Sequence, residues 1–202
     1  MKFDLKLFVL TLAGLVAGAA QSLPAQDLLL NGSFEDQGGS FNRWNVNSPD
    51  GSLIIDSPGG NYINAFVNTA DDGNYYALFT PGTSPSTLDQ AFNTTVGATY
   101  DINFWVNNPH GDSSLLVTAG SSTLLNLSAS DSELNGLGWV DFNYNYQATS
   151  TSADLSFAGT SGGFLGLDAV SVAAVPEPGT WFFGFAALTM VVMGSRRARR
   201  KR

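Results

Sequence analysis

The sequence predicts an all-β domain built as a β-sandwich, between an N-terminal signal helix and a C-terminal transmembrane helix. No stretch between residues 26 and 174 keeps an apolar period of 3.6 residues, whereas several stretches alternate apolar and polar residues. Glycine occurs 22 times and charged residues make up only 13% of the chain, a composition typical of all-β surface or secreted domains. Turn-forming clusters separate about eight to ten short strands, which is the spacing of a sandwich.

The clearest strands are two stretches of strict alternation. Residues 100–106 place four apolar side chains on one face and Trp105 with polar residues on the other. Residues 140–146 repeat this pattern, and Trp139 precedes them on the polar face. Shorter strands are predicted over residues 28–30, 52–56, 62–67, 75–79, 88–94, 114–119, 123–127, 153–157 and 169–172.

The formal charge of −8 is divided unevenly along the chain. Two lysines lie in the first six residues and six basic residues in the last seven. Residues 26–174 contain one arginine, Arg43, and 15 acidic residues, which gives that stretch a formal charge of −14. Phosphate binding needs clustered Lys and Arg, so nucleic acid is excluded as a partner. The absence of cysteine excludes a disulfide scaffold, a thiol nucleophile and a thiolate metal site.

Residues 1–25 have the features of a secretory signal peptide. Lys2 and Lys6 precede an apolar run over residues 7–20, and small residues follow it. Cleavage after Ala19, Ala20 or Ala25 is compatible with this pattern. A membrane anchor is the alternative, but the run is shorter than the roughly 18–20 residues that span a bilayer. We therefore predict export through the Sec translocon.

Residues 175–202 predict a membrane anchor at the other end. Pro176 and Pro178 stop any upstream helix, and the 16 residues 179–194 carry no charge. As a helix they would span about 24 Å, which is marginal for a bilayer core of about 30 Å. The basic residues that follow would hold the end of this helix in the cytoplasm. They are Arg196, Arg197, Arg199, Arg200, Lys201 and Arg202.

This tail resembles the PEP-CTERM sorting signal of Gram-negative bacteria. The match rests on Pro176, Glu177 and Pro178, on the adjacent apolar helix and on the terminal arginines. The resemblance implies cleavage by exosortase and a precursor held in the inner membrane. It also implies a final place at the cell envelope, the outer surface or the extracellular matrix, in association with exopolysaccharide and biofilm. An ordinary tail anchor after a Pro-Glu-Pro sequence is the alternative.

The middle domain, residues 26–174, resembles the galactose-binding-like and DUF642-type jelly rolls. The residues concerned are 30–35 (Leu-Asn-Gly-Ser-Phe-Glu) with Trp44, then 88–92, 97–105 and the closing stretch 166–172. The resemblance implies a jelly-roll fold, and many such domains bind sugars. It also implies a structural calcium ion held by Glu35 and Asp168, which a jelly roll brings together from its first and last strands. The alternative is that both carboxylates accept backbone N–H groups at a strand end, without metal.

Aromatic and guanidinium side chains are the candidate ligand contacts, because sugar rings stack on aromatic faces. The candidates are Arg43, Trp44, Trp105 and Trp139. Trp105 and Trp139 lie opposite the apolar rows of their strands, although such residues also fill a second core or cover an edge. The acidic group at residues 71–74 is interpreted as a solvated loop.

Catalysis has little support in the sequence. His110 is the single histidine, in a turn, and no G-x-S-x-G motif accompanies it. We therefore predict a non-enzymatic exported surface or matrix protein with carbohydrate as its ligand. The alternatives are a structural or adhesive surface protein without a glycan ligand, and a small polysaccharide hydrolase or lyase.

Overall fold

The protein folds as a β-sandwich of two five-stranded antiparallel sheets, which confirms the predicted fold class. The computed structural model describes residues 26–57, 70–109, 112–129 and 138–176. Within these residues no helix is long and apolar enough to cross a membrane. The predicted signal segment, the predicted strand over 62–67, His110, Glu177, Pro178 and the remaining tail lie outside the described residues.

Ten strands make up the sandwich. They are β1 (Asn45–Asn47), β2 (Leu53–Asp56), β3 (Tyr76–Phe79), β4 (Ser86–Asn93), β5 (Thr99–Asn107), β6 (Ser113–Ala119), β7 (Ser122–Leu127), β8 (Trp139–Gln147), β9 (Ser152–Ser161) and β10 (Leu165–Ala174). Sheet A has the order β2-β3-β10-β5-β8, and sheet B has the order β1-β4-β9-β6-β7. The strand β1 was not predicted, because its residues are all exposed and show no alternation.

The hydrophobic core lies between the two sheets. The apolar row predicted on β5 is buried, and Phe104 packs edge-on against Phe157 of β9 with ring centroids 5.2 Å apart. Phe142 and Tyr144 of β8 stack beside Phe104. The alternation read from the sequence therefore sets which face of each strand points inward.

The N-terminal segment pairs with the last strand only briefly. Asp27 forms an isolated bridge with Ala173, and the N–H of Leu28 donates to the carbonyl of Val172 at 2.7 Å. Asn31 then adopts a φ of 58°, which ends this extended stretch, although Gly32 still accepts the N–H of Val170 in β10. The stretch 28–30 is therefore not the strand that its residues predict, although it does lie beside the closing strand.

Candidate functional site

The outer face of sheet A, which points away from the core, brings together aromatic and polar side chains. The register aligns Asp168, Trp105 and Asp141 in one row across β10, β5 and β8. The neighbouring row holds Gly166 and Trp139 on either side of β5. Because β5 and β8 pair over nine residues without a register shift, their outward residues form a regular ladder.

Trp105 is the aromatic side chain in this ladder that belongs to neither hydrophobic cluster of the described residues. It is half-buried, and in the described part of the chain its indole makes no hydrogen bond and no ring contact. Beside it, the amide of Asn103 donates to the carboxylate of Asp141 at 2.6 Å, and Asn143 lies opposite Asn103. An indole face bordered by amide and carboxylate groups can stack on a sugar ring and bond its hydroxyl groups.

Trp139 has a different role from Trp105. Its ring packs edge-on against Tyr76, with centroids 5.7 Å apart, and it lies over Gly166, where an added Cβ would come within 2.7 Å of the indole. Trp139 thus belongs to a second small apolar cluster around the buried Tyr76 and Leu78. This packing corresponds to the second core considered above, so Trp139 forms a wall of the site.

Trp44 and Arg43 are not brought together with Trp105. Trp44 is only 8% exposed, and its ring packs against Phe34 and Phe157. Its indole N–H donates to the carbonyl of Asn31 at 2.9 Å, so Trp44 offers no open face for stacking. Arg43 is exposed and directly precedes Trp44 and β1 in sheet B. We therefore leave both residues out of the proposed site.

Glu35 and Asp168 hold the two ends of one loop. One oxygen of Asp168 accepts the N–H groups of Asp71 and Asp72 at 2.8 and 2.9 Å. Glu35 Oε1 accepts the N–H groups of Asn74 and Tyr75, both at 2.6 Å. The loop 71–75 has exposed side chains, as predicted for residues 71–74, but its backbone is fixed by these carboxylates.

This loop borders the candidate site. Burial raises the pKa of Asp71, and the negative charges of Asp72 and Asp141 raise it further. Asp71 therefore lies close enough to Asp141 to interact with it electrostatically. Asp168 thus acts on the site as a positioning residue, because it fixes the backbone of the loop beside the Trp105 row.

Backbone N–H groups already occupy the Asp168 oxygens, which leaves this carboxyl little capacity for the predicted calcium ion. Calcium takes six to eight oxygen ligands, whereas the Asp168 oxygens accept three N–H groups, including that of Ala169 at 2.7 Å. Within the described residues no three Asp, Glu or His side chains are grouped as a metal site.

Calcium at this pair stays a prediction from the sequence. Calorimetric titration with Ca²⁺ tests this prediction. Heat of binding together with a raised melting temperature would support it, whereas no heat and no change in melting temperature would contradict it.

The pH dependence of stability should depend on Asp168. Burial of this fully enclosed carboxyl raises its pKa to about 7, against the usual 3.8, and the N–H donors offset only part of that effect. The native state therefore keeps a proton that the unfolded chain releases, so the free energy of unfolding should fall as pH rises from about 4 to 7. Asp168→Asn should weaken this dependence.

Thermal melts at pH 5 and pH 8 check this expectation. The wild-type domain should lose more melting temperature between these values than the Asp168→Asn variant does. Asp89→Asn, at a carboxylate of β4 that accepts a hydrogen bond from the Asn45 amide, is the matched control and should keep the wild-type difference. Equal differences in all three proteins would contradict the assignment to Asp168.

Three further residues belong to the site although the sequence did not single them out. Asn103, Asp141 and Asn143 lie on the predicted polar faces of their strands, so their orientation was predicted but their proximity to Trp105 was not. The run of alternating Asn and aromatic residues in β8 is the signal that could have indicated them. The sequence does not show the register in which β5 and β8 pair, because a long connection separates the two strands.

Solved structures with the same fold include a carbohydrate-binding module. TmCBM61, in complex with β-1,4-galactotriose, has a TM-score of 0.57 and 16% identity over 75% of this chain and 100% of that chain. The enzymatically active domain of tailspike protein 4 from bacteriophage CBA120 has a TM-score of 0.51 and 12% identity, over 74% of this chain and 21% of that chain. The K1 cleaved adhesin domain of Lys-gingipain from Porphyromonas gingivalis W83 has a TM-score of 0.50 and 15% identity, over 71% of this chain and 96% of that chain.

These likenesses define the class of the fold. The described domain is a β-sandwich of the kind found in carbohydrate-binding modules. At such low identity the likeness shows the fold alone. No protein-family model and no curated protein matches the sequence.

Proposed function

We propose that this protein is an exported, non-catalytic surface protein that binds carbohydrate on the outer face of sheet A. The observation that carries the proposal is Trp105, a half-buried indole without a protein partner in the described residues, set in a ladder of Asn and Asp side chains. The bound galactotriose of TmCBM61, which has the same fold, adds support for a sugar ligand.

The negative charge of the domain favours a neutral glycan as its ligand. The formal charge of −14 over residues 26–174 repels anionic polysaccharide unless divalent cations lie between the two. No Lys or Arg lies on the outer face around Trp105, since Arg43 is the one basic residue of this stretch and lies beside sheet B. The ligand we propose is therefore a neutral oligosaccharide, held by stacking and by hydrogen bonds to Asn103, Asp141 and Asn143.

The second part of the proposal concerns delivery to the surface, and it rests on the predicted signal segment and the predicted C-terminal tail. We propose that the signal segment directs Sec export and that the tail holds the precursor in the inner membrane until exosortase cuts it near Pro176, Glu177 and Pro178. The mature protein then joins the exopolysaccharide matrix or the outer surface of a Gram-negative cell. Mass spectrometry of the native protein tests this directly, because it reports both processed ends.

A glycan array tests the binding activity. The domain comprising residues 26–176 should bind neutral oligosaccharides and ignore acidic ones in the absence of divalent cations. Silence across all glycans would contradict the proposal and favour a structural or adhesive protein. Release of new reducing ends from a polysaccharide would contradict the non-catalytic part of the proposal and favour a hydrolase or lyase.

A further inference from the structure

Strand β8 is the longest of the four edge strands in the part of the chain that the structure describes. Its nine residues pair with β5 without a register shift. The other edge strands are β1 with three residues, β2 with four and β7 with six, and the pairing of β7 with β6 contains a register shift. Natural edge strands are usually short or bulged, or carry Lys or Pro, which prevents pairing with another chain. Strand β8 has none of these protective features.

The free edge of β8 carries unpaired backbone groups. The N–H of Ala148, just after the strand, donates to the carbonyl of Ala98 at 2.9 Å, which sets the alternation of the β5–β8 ladder. The even-numbered residues of β8 therefore bond to β5, and the odd-numbered residues direct their N–H and C=O groups away from it. Among the described residues no backbone partner lies on that side of Asp141, Asn143, Asn145 and Gln147.

The hydrophobic core is incompletely closed along the same strand. The inward side chains of β5 are buried, whereas Val140, Phe142 and Tyr144 of β8 are only half-buried. The rings of Phe142 and Tyr144 are stacked, with centroids 6.5 Å apart and an angle of 5° between their planes. Since Phe104 of β5 stacks beside both rings, their exposed area lies toward the free edge. A further strand along β8 would cover this area.

Strand β8 is complementary to a second copy of itself. In an antiparallel pair centred on Asn143, all nine residues find a partner, and the odd-numbered residues exchange backbone hydrogen bonds. Asp141, the only charged residue of β8, then faces Asn145 of the second copy and not another carboxylate. Phe142 faces Tyr144 of the second copy at a position without hydrogen bonds, where side chains approach most closely.

We propose that two copies of this protein associate through their β8 edges, in antiparallel register with Asn143 opposite Asn143. The two copies of sheet A then form one ten-stranded sheet. A single pair of strands buries less than the roughly 1,200 Å² of a standard interface, so the association is weak and depends on concentration. Each domain has a formal charge of −14, and salt should strengthen the association because it screens the repulsion between the domains.

This pairing would join two candidate sugar sites on one continuous face. The two copies of Trp105 would be separated by three strand spacings across the sheet and by four residues along it, which together give about 20 Å. One oligosaccharide could then contact both indoles. This consequence rests on the sugar site proposed above, whereas the pairing of β8 does not.

Charge substitutions at Asn145 test the interface and its register. Asn145→Asp places a carboxylate opposite Asp141 of the second copy, twice in each dimer, and should raise the dissociation constant about fivefold or more, while Asn145→Lys should lower it by a similar factor. Asn126→Asp and Asn126→Lys, at an exposed residue of the edge strand β7, are the matched controls and should show no such opposite effects. Analytical ultracentrifugation of the full chain in detergent, over a series of concentrations, measures the dissociation constants. Melting temperatures of dilute samples check that each variant is folded, since Asn145 also lies opposite Asp101 of β5.

Disulfide cross-linking tests the centre of the pair, because the chain contains no cysteine. Two copies of residue 143 would have Cα atoms about 5.5 Å apart, within the range that a disulfide bridges, so Asn143→Cys should form covalent dimers on mild oxidation. Two copies of residue 145 would lie about 14 Å apart, so Asn145→Cys should form few. A wild-type chain that is monomeric at every concentration would overturn the proposal. Equal association of the two Asn145 charge variants, or cross-linking at Asn126→Cys that matches Asn143→Cys, would also overturn it. Glycan binding is measured separately, so none of these results decides the proposed function.

Discussion

Replacing Trp105 with alanine should reduce glycan affinity by about 30-fold or more while the domain stays folded. The indole is half-buried on the outer face, where we propose that it stacks on the sugar, and loss of a central aromatic contact in an interface costs about 2 kcal/mol or more. Because Trp105 has no ring contact among the described residues, its loss should disturb the core little. Isothermal titration with the best glycan from the array measures the change.

Two further variants serve as controls for the Trp105→Ala measurement. Trp105→Phe keeps an aromatic face and should retain part of the affinity. Leu116→Ala removes an exposed apolar side chain from the outer face of sheet B and should leave affinity unchanged. Wild-type affinity in Trp105→Ala, with an unchanged melting temperature, would exclude Trp105 from the binding site.

Gly32→Ala should destabilise the domain by about 3 kcal/mol, because the added methyl has no space. A Cβ at this position would lie 1.8 Å from the carbonyl oxygen of Val170 and 2.9 Å from its carbonyl carbon. Both are backbone atoms of β10, so no side chain can rotate to relieve the clash. The carbonyl of Gly32 also accepts the N–H of Val170 at 3.0 Å, and any backbone shift would disturb this bond.

Urea denaturation of the variant measures this effect. Ser33→Ala, at the next residue, is the control and should change the free energy of unfolding by less than about 1 kcal/mol. If both variants unfolded at the same urea concentration, the close approach of the N-terminal segment to β10 would be wrong. The glycine in the Leu-Asn-Gly-Ser-Phe-Glu stretch is thus explained by contact with the closing strand.

The sandwich could be predicted from the sequence because alternation is a local property. Residues 100–106 and 140–146 show their inward and outward faces directly, and the structure keeps both. The outward placement of Trp105 and Trp139 was predicted for the same reason. Where alternation is missing, as in β1, the strand depends on pairing with β4, which no local pattern reveals.

The burial and the contacts of individual aromatic residues could not be predicted from alternation. Trp44 and Trp105 are equally plausible ligand contacts from composition, yet Trp44 is enclosed between Phe34 and Phe157 and Trp105 is only half-buried. Trp139 faces outward but packs on Tyr76, because Gly166 leaves space for its ring. These outcomes depend on contacts between distant segments.

The two acids of the jelly-roll motifs, Glu35 and Asp168, illustrate the same limit. The resemblance predicted that Glu35 and Asp168 act together, and the structure does bring both to one feature. That feature is the backbone of the loop 71–75, whose N–H groups both carboxylates accept. The partner segment lies 40 residues after Glu35 and 97 residues before Asp168, and nothing in its own residues indicates the contact.

The most direct test of glycan binding on the outer face of sheet A is an NMR titration of the ¹⁵N-labelled domain with the best oligosaccharide from the array. The indole N–H of Trp105 and the side-chain amides of Asn103 and Asn143 should show the largest chemical-shift changes. The outer face of sheet B, including Leu116, should stay unchanged. Shifts confined to sheet B, or to residues around Arg43, would contradict the proposed site.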